Sequence, residues 1–224
     1  MLTPAALPPS IQLQRDASLA DQSTLEVGGT AQWFTPVENL QQLQQAQAWA
    51  KKEGLPIFYL GDGSNVLFPD GNLPGLVIRN LIKGRQQNGN EVELGGGEQL
   101  DNVVCWVNDL GLAGLERLYG IPGTLAGALV GNAGAYGQQV STVVLEVTFW
   151  SGDQVEVLSA SDLDFAYRHS LFKAHREWFI LSCRLGLTRS VESLQDVSEE
   201  ILSRRLEKYP VGLRCPGSFF KNIP

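Results

Sequence analysis

"GIPGTLAGALVGNAGAYG", residues 120 to 137, contains ten glycines and alanines in eighteen positions. So little side chain is unusual for a core element and points to close backbone approach. Pro122 fixes its own φ before Gly123, and Thr124 stands where a helix of small residues would start. Such a helix offers first-turn N–H groups and the positive end of its dipole to an anion. A tightly packed core helix explains the small residues equally well, but not Asn132 and Tyr136 set among glycines. The balance favours a ligand site.

Working outward, "VVLEVTFWSGDQVEVL" has the alternation of a hairpin turning at Gly152 and Asp153. "FAYRHSLFK" (165–173) then brings Tyr167, Arg168, Ser170 and Lys173 into a short apolar frame. Arginine offers a planar fork for a carboxylate or phosphate, although surface cations with buried stems give the same spacing. "WFILSCRLGL" is a buried strand, and "VESLQDVSEEILSRRLEKYP" is a helix ended by Pro210. The basic residues of this last stretch read mostly as a solvated helix face.

Upstream, "EQLDNVVCWVNDLG" carries Leu100, Val103, Val104, Val107 and Leu110 at helical spacing, with Cys105 taken as packing and Gly111 as the stop. "GLVIRNL" and "NEVELGGG" are strands. "VENLQQLQQAQAWAKKEG" is a helix with Leu40, Leu43, Ala46, Trp49 and Ala50 on one face, closed by Gly54. "STLEVGGTAQWFTP" predicts two short strands around Gly28 and Gly29. Between these, "YLGDGSNVLF" (59–68) runs a buried strand straight into a glycine turn, where backbone N–H groups and the Ser64 and Asn65 side chains could hold a pyrophosphate. The dinucleotide fingerprint fails at Val66, and the GK[ST] ending of a phosphate-binding loop is absent. Alone, this turn would read as a plain tight turn.

The whole chain has 224 residues, 43% hydrophobic and 18% charged, the composition of a globular protein able to bury a core without disulfides. A net charge of −7 argues against nucleic-acid binding. Three cysteines without paired spacing, two histidines and no CxxC or HExxH argue for a reducing compartment and against a metal site. The start lacks a secretion signal, and no apolar run reaches the ~18 residues of a membrane span. The expectation is therefore a cytoplasmic protein, away from membranes, with residues 1–20 a loose leader and an α+β order of elements.

In sequence order, "STLEVGGTAQWF", "GDGSNVLF", "GLVIRNL", "GLAGLERLYGIPGTLAGALVGNAGAYG", "YRHSLFK" and "GSFFKN" resemble the UDP-N-acetylenolpyruvoylglucosamine reductase family, between residues 23 and 222. The glycine-dense block combined with "GSFFKN" is specific; neither glycine loop is so alone. The resemblance implies the two-subdomain FAD-binding fold of the vanillyl-alcohol-oxidase and xanthine-dehydrogenase (PCMH) type over residues 21–189. Residues 190–224 would begin a substrate-binding domain that the family continues for many residues further, so that the chain reads as C-terminally truncated, without the family's late catalytic glutamate. Ala126 and Gly131 stand where many family members have Gly and a larger residue.

The same resemblance implies roles. Gly61, Asp62, Gly63, Ser64 and Asn65 would wrap the FAD pyrophosphate, while Ile121, Pro122, Gly123, Thr124, Gly134, Ala135 and Tyr136 would line the flavin. NADPH would be the reductant, and the substrate a nucleotide sugar, UDP-N-acetylglucosamine enolpyruvate. Arg168 would stabilise the developing enolate-like charge, Ser218 would donate the proton, and Tyr167, Lys208 and Asn222 would hold substrate. A monomer is expected, without nucleic-acid or membrane partners. Competing readings are a flavin-binding module without turnover and an oxidase of the same fold acting on another alcohol. The second is disfavoured by "GSFFKN" and "YRHSLFK", and by glycine loops without a His or Cys to link FAD.

Overall fold

A computed structural model describes residues 11–210 and 212–215. They divide into two compact units: residues 11–82 with Arg214 and Cys215, and Lys83–Leu213.

The first unit is a four-stranded sheet of β1 (Gln14–Ser18), β2 (Thr30–Val37), β3 (Ile57–Leu60) and β4 (Asn72–Asn80), in the order β1-β2-β4-β3. β1 runs antiparallel to β2, whereas β2, β4 and β3 are parallel. Helix α1 (Leu40–Lys52) makes the crossover from β2 to β3. Asn39 caps it, its side chain accepting from the Gln42 N–H at 2.9 Å, and Gly54 closes it at φ +67°. Its buried stripe of Leu43, Ala46, Trp49 and Ala50 is the one the spacing predicts. The edge-on contact of Trp49 with Trp33, ring centroids 5.2 Å apart, locks the helix to β2.

Parallel neighbours need a long connection, usually helical. Between β3 and β4 the glycine segment 61–71 does this without a helix. Its Val66 and Phe68 pack on Ala17, Ala31, Phe34, Leu60 and Val77. Because side chains alternate along a strand, Phe34 and Trp33 point to opposite faces, so this apolar lining lies on the face away from α1. The loop is thereby half of a small core.

The second unit is an antiparallel sheet of β5 (Arg85–Asn88), β6 (Glu91–Gly95), β10 (Val144–Trp150), β11 (Val155–Ser159) and β12 (Phe179–Gly186), ordered β11-β10-β12-β6-β5. Its core joins Val92 and Leu94 of β6 to Val103, Val104 and Val107 of α2 (Leu100–Asp109) and to Phe149. Shorter elements complete it: β7 (Leu112–Ala113), α3 (Leu125–Gly131), β8 (Gly134–Ala135), β9 (Gln138–Gln139), α4 (Leu171–Ala174) and β13 (Thr188–Arg189). Finally α5 (Leu194–Lys208), capped by Ser193, buries Leu194, Ser198 and Ile201. Asn108 of α2 donates to Ser198 Oγ at 2.8 Å, and Ser198 donates onward to the Glu116 carbonyl at 3.0 Å, so α5 is fastened to this unit.

Three expectations change. Residues 24–29 are not a strand, because their backbone groups are used on the glycine segment: Thr24 N–H donates to Gly63 O and Gly29 N–H to Pro69 O. The sheet's antiparallel edge is instead Gln14–Ser18, inside the stretch expected to be loose. Cys105 is exposed on the outer face of α2 rather than packed, since its neighbours at helical spacing, not Cys105 itself, face the core.

Candidate active site

In the first unit, the glycine segment is held from below by residues 20–29. Gly63, at φ +66°, lies so close to this stretch that a Cβ would stand 1.9 Å from the Gln22 carbonyl oxygen. Only glycine satisfies both the dihedral and the space. Gly29 is equally confined, its hypothetical Cβ 2.0 Å from the Gly71 oxygen. Asp62 accepts from Arg79 Nη2 at 2.7 Å, and Arg79 Nη1 donates to Gln22 Oε1 at 2.9 Å. Gly61, Ser64 and Asn65 complete the turn, with Asn65 exposed and Gly63 buried. Ser23 Oγ and Arg79 Nε are buried without a hydrogen-bond partner among the described residues.

In the second unit, Thr124 caps α3, its hydroxyl accepting from the Gly127 N–H at 3.2 Å. The first-turn amides, however, do not face a ligand. Leu125 N–H donates to Glu98 O at 2.8 Å and Ala126 N–H to Gly96 O at 2.9 Å. The expected anion-binding helix start is thus corrected: the Gly95–Glu98 segment takes those donors. What remains for a cofactor is the segment before the helix, Ile121 to Thr124, where Gly123 takes φ +124°. Its entry is pinned through both backbone groups of one residue. Gly120 N–H donates to Asp101 Oδ1 at 2.7 Å, and Gly120 O accepts from Arg205 Nε at 3.0 Å. Burial raises the Asp101 pKa, opposed by the Gly120 hydrogen bond and the Arg205 charge.

Asn132 is a structural hub rather than a ligand group. It ends α3 at φ +43°, donates to Gln139 Oε1 and the Ala166 carbonyl, and accepts from the Ser141 N–H. Tyr136, at φ +49°, is the turn of the β8–β9 hairpin.

The "YRHS" stretch forms a second tight turn, closed by Ala166 and His169, whose backbones hydrogen-bond reciprocally. Arg168 occupies it at φ +56°, a strained region for a non-glycine residue. Its Nη2 donates to the Gly134 carbonyl at 3.3 Å, and its guanidinium lies 5.4 Å from the Tyr167 ring centroid. Ser170 Oγ anchors the turn's exit to Val130 O at 2.8 Å, and Lys173 Nζ donates to the Arg168 carbonyl at 3.0 Å. Two left-handed turns, at Tyr136 and Arg168, are therefore joined by one guanidinium. Arg168, Tyr167, Gly134, Ala135 and Tyr136 come together here.

Lys208 is exposed at the last turn of α5. Ser218 and Asn222 lie outside the described residues. Arg79, Asp101, Glu98 and Arg205 were not singled out by sequence. Each acts through a partner distant along the chain, and of the four only Arg79 is hinted at in sequence, as a charge in the apolar stretch "GLVIRNL".

In the first unit, glycine backbone confined where a side chain cannot enter, with buried donors beside it that have no partner among the described residues, fits the phosphates of a flavin dinucleotide. The second unit separately carries a cation at a strained turn. Comparison with known proteins agrees. Residues 32–158 match the family model of the FAD binding domain. The fold is shared with the cholesterol oxidase of B. sterolicum, at TM-score 0.60 and 18% identity over 84% of this chain and 39% of that one. Fold and site define the flavin-binding domain of an FAD-dependent oxidoreductase of the vanillyl-alcohol-oxidase (PCMH) type.

Stronger similarity narrows this. The UDP-N-acetylenolpyruvoylglucosamine reductase of Solibacter usitatus is 34% identical over 216 residues, covering 96% of this chain and 69% of that protein. The Synechococcus sp. reductase is 38% identical, covering 94% and 69%. The crystal structure of the Thermus caldophilus reductase superposes at TM-score 0.79 with 29% identity, over 96% of this chain and 76% of that one. The chain belongs to the UDP-N-acetylenolpyruvoylglucosamine reductase family.

Proposed function

We propose that this chain performs, as a cytoplasmic monomer, the NADPH-dependent, FAD-mediated reduction of UDP-N-acetylglucosamine enolpyruvate to UDP-N-acetylmuramate in peptidoglycan precursor synthesis. The observation that carries this reading is the Arg168 guanidinium held against Gly134 at 3.3 Å, beside the hairpin assigned to the flavin. In this proposal residues 21–189 bind FAD and residues 190–224 begin the substrate side. FAD supplies hydride relay from a reduced nicotinamide to the substrate's carbon–carbon double bond.

The chain's own residues then have separable tasks. The Gly61–Asn65 segment holds the diphosphate through backbone N–H groups, and Ile121–Thr124 with Gly134–Tyr136 orients the ring system. As hydride arrives at the methylene carbon, the π electron pair shifts toward the adjacent carbon and its carboxylate. Arg168 meets that growing charge with a fixed fork that needs little reorganisation. Its strained turn is over-determined by Gly134, Ser170 and Lys173, which keeps the cation aimed. The Ser218 hydroxyl gives its proton to the adjacent carbon, completing addition across the double bond, and recovers a proton from solvent. Tyr167, Lys208 and Asn222 bind the substrate.

A second reading is favoured by the match covering 69% of the Solibacter relative. In it the chain binds FAD, and turnover needs residues from the remaining length of the family, among them a late glutamate. One anaerobic experiment separates the two. The chain is loaded with FAD, reduced and mixed with UDP-N-acetylglucosamine enolpyruvate, and the flavin absorbance is followed. Reoxidation supports the reductase; a flavin that binds and stays reduced supports the module. In a chain that turns over, Ser218→Ala should slow reoxidation by ~10²–10⁴ while reduction by NADPH is preserved. Equal loss in both half-reactions would remove Ser218 as proton donor.

A further inference from the structure

The glycine segment assigned to the cofactor's diphosphate carries an acidic side chain, Asp62. A carboxylate beside a diphosphate is repulsive unless something offsets it. Arg79, one strand away on β4, is the offset. Its Nη2 lies 2.7 Å from Asp62 Oδ1, and its Nη1 donates to Gln22 Oε1 at 2.9 Å. Gln22 is also the residue whose carbonyl lies under Gly63. One guanidinium therefore ties the acidic residue of the turn to the support beneath its glycine. Both side chains are about three-quarters buried, 27% and 25% exposed, so their attraction is less screened than on an open surface. Arg79 Nε is buried without a partner among the described residues, so the guanidinium retains a donor not used by them at this site.

We infer that Arg79 is the positioning residue of the diphosphate cradle: it neutralises Asp62 and holds the glycine segment in its binding shape. This rests on the proposed cofactor role of that segment. An ordinary ion pair would contribute to folding alone. A neutralising pair makes a charge-specific statement about affinity: losing the cation exposes Asp62, and removing Asp62 as well should undo the damage.

The test is FAD affinity, measured by quenching of flavin fluorescence on the full chain, with apo-protein melting as a check on folding. Arg79→Gln should weaken FAD by about ten-fold or more. Arg79→Lys, which keeps the charge, should stay within about three-fold of the unaltered chain, and the double variant Arg79→Gln with Asp62→Asn should recover to a similar level. Should Arg79→Gln not fold, the other two decide by the same affinities. Unaltered affinity in Arg79→Gln, or a double variant as weak as the single one, overturns the inference while leaving the cofactor reading intact. Failure of the unaltered chain to bind FAD overturns the cofactor reading and this inference with it.

Discussion

At Gly63 an added methyl group would sit 1.9 Å from a backbone oxygen, on a residue already at φ +66°. At Gly131, the last residue of α3, a methyl group would meet nothing within 4 Å. Gly63→Ala should therefore lower stability by at least about 2 kcal/mol. Gly131→Ala should raise it by up to about 1 kcal/mol through helix propensity. Urea unfolding compares them, and similar effects would mean the loop yields more easily than its contacts imply. Arg168 poses the opposite case, a side chain kept where glycine would be relaxed. Arg168→Gly should stabilise the chain by up to about 1 kcal/mol while abolishing turnover. Arg168→Lys should keep FAD binding but cut turnover by roughly ten-fold or more, because a point charge does not replace the fork. Near-normal flavin reoxidation in Arg168→Lys would discard the role.

Among the elements, α3 depends most on its ends. Asn132 supplies a left-handed cap and three side-chain hydrogen bonds to residues 139, 141 and 166. Asn132→Ala should cost about 2–4 kcal/mol, and Asn132→Gly less, since glycine restores the dihedral but not the bonds. Denaturation midpoints of the pair separate cap from network. The Gly120 backbone links α2, the Ile121–Thr124 segment and α5, and Asp101 gives this link a pH signature. Burial raises the folded-state pKa of Asp101 above its unfolded value, so the folded chain binds the proton more tightly. Its contribution favours folding below the ordinary carboxylate range and is lost as pH rises through the elevated pKa. Asp101→Asn should flatten the fall in stability with rising pH in that window. An unchanged slope in melting temperature against pH would remove Asp101 as its source.

For the whole molecule, the ledger of carboxylates is not one-sided. Glu146 is held below the usual range by its hydrogen bond to Arg184, which also pairs with Glu91 across the second unit's sheet. Its contribution has the opposite sign to that of Asp101, present above the ordinary value and lost as pH falls through the depressed pKa. Ligand linkage should exceed either. At FAD concentrations near 100 times Kd the folded state gains about 2.7 kcal/mol, a shift of about 5–10 °C in melting temperature for a chain of this size. Absence of a shift at saturating FAD would contradict every flavin reading.

The sequence by itself determined most of the elements and the family. The stripe of α1, the spacing of Leu100, Val103, Val104 and Val107, the hairpin at Gly152 and the two glycine segments are local patterns, and local patterns survive in one dimension. Only the tertiary structure decided how those segments are used. That α3's first amides are taken by Gly96 and Glu98, that Asn132 is a hub, and that Arg79 and Arg205 reach across to Asp62 and Gly120 depends on partners 7 to 85 residues away in the chain. Hydrogen bonds and ion pairs act over about 3 Å in space, whatever the separation in sequence. A residue's type states what it can bond, and the fold alone states with what.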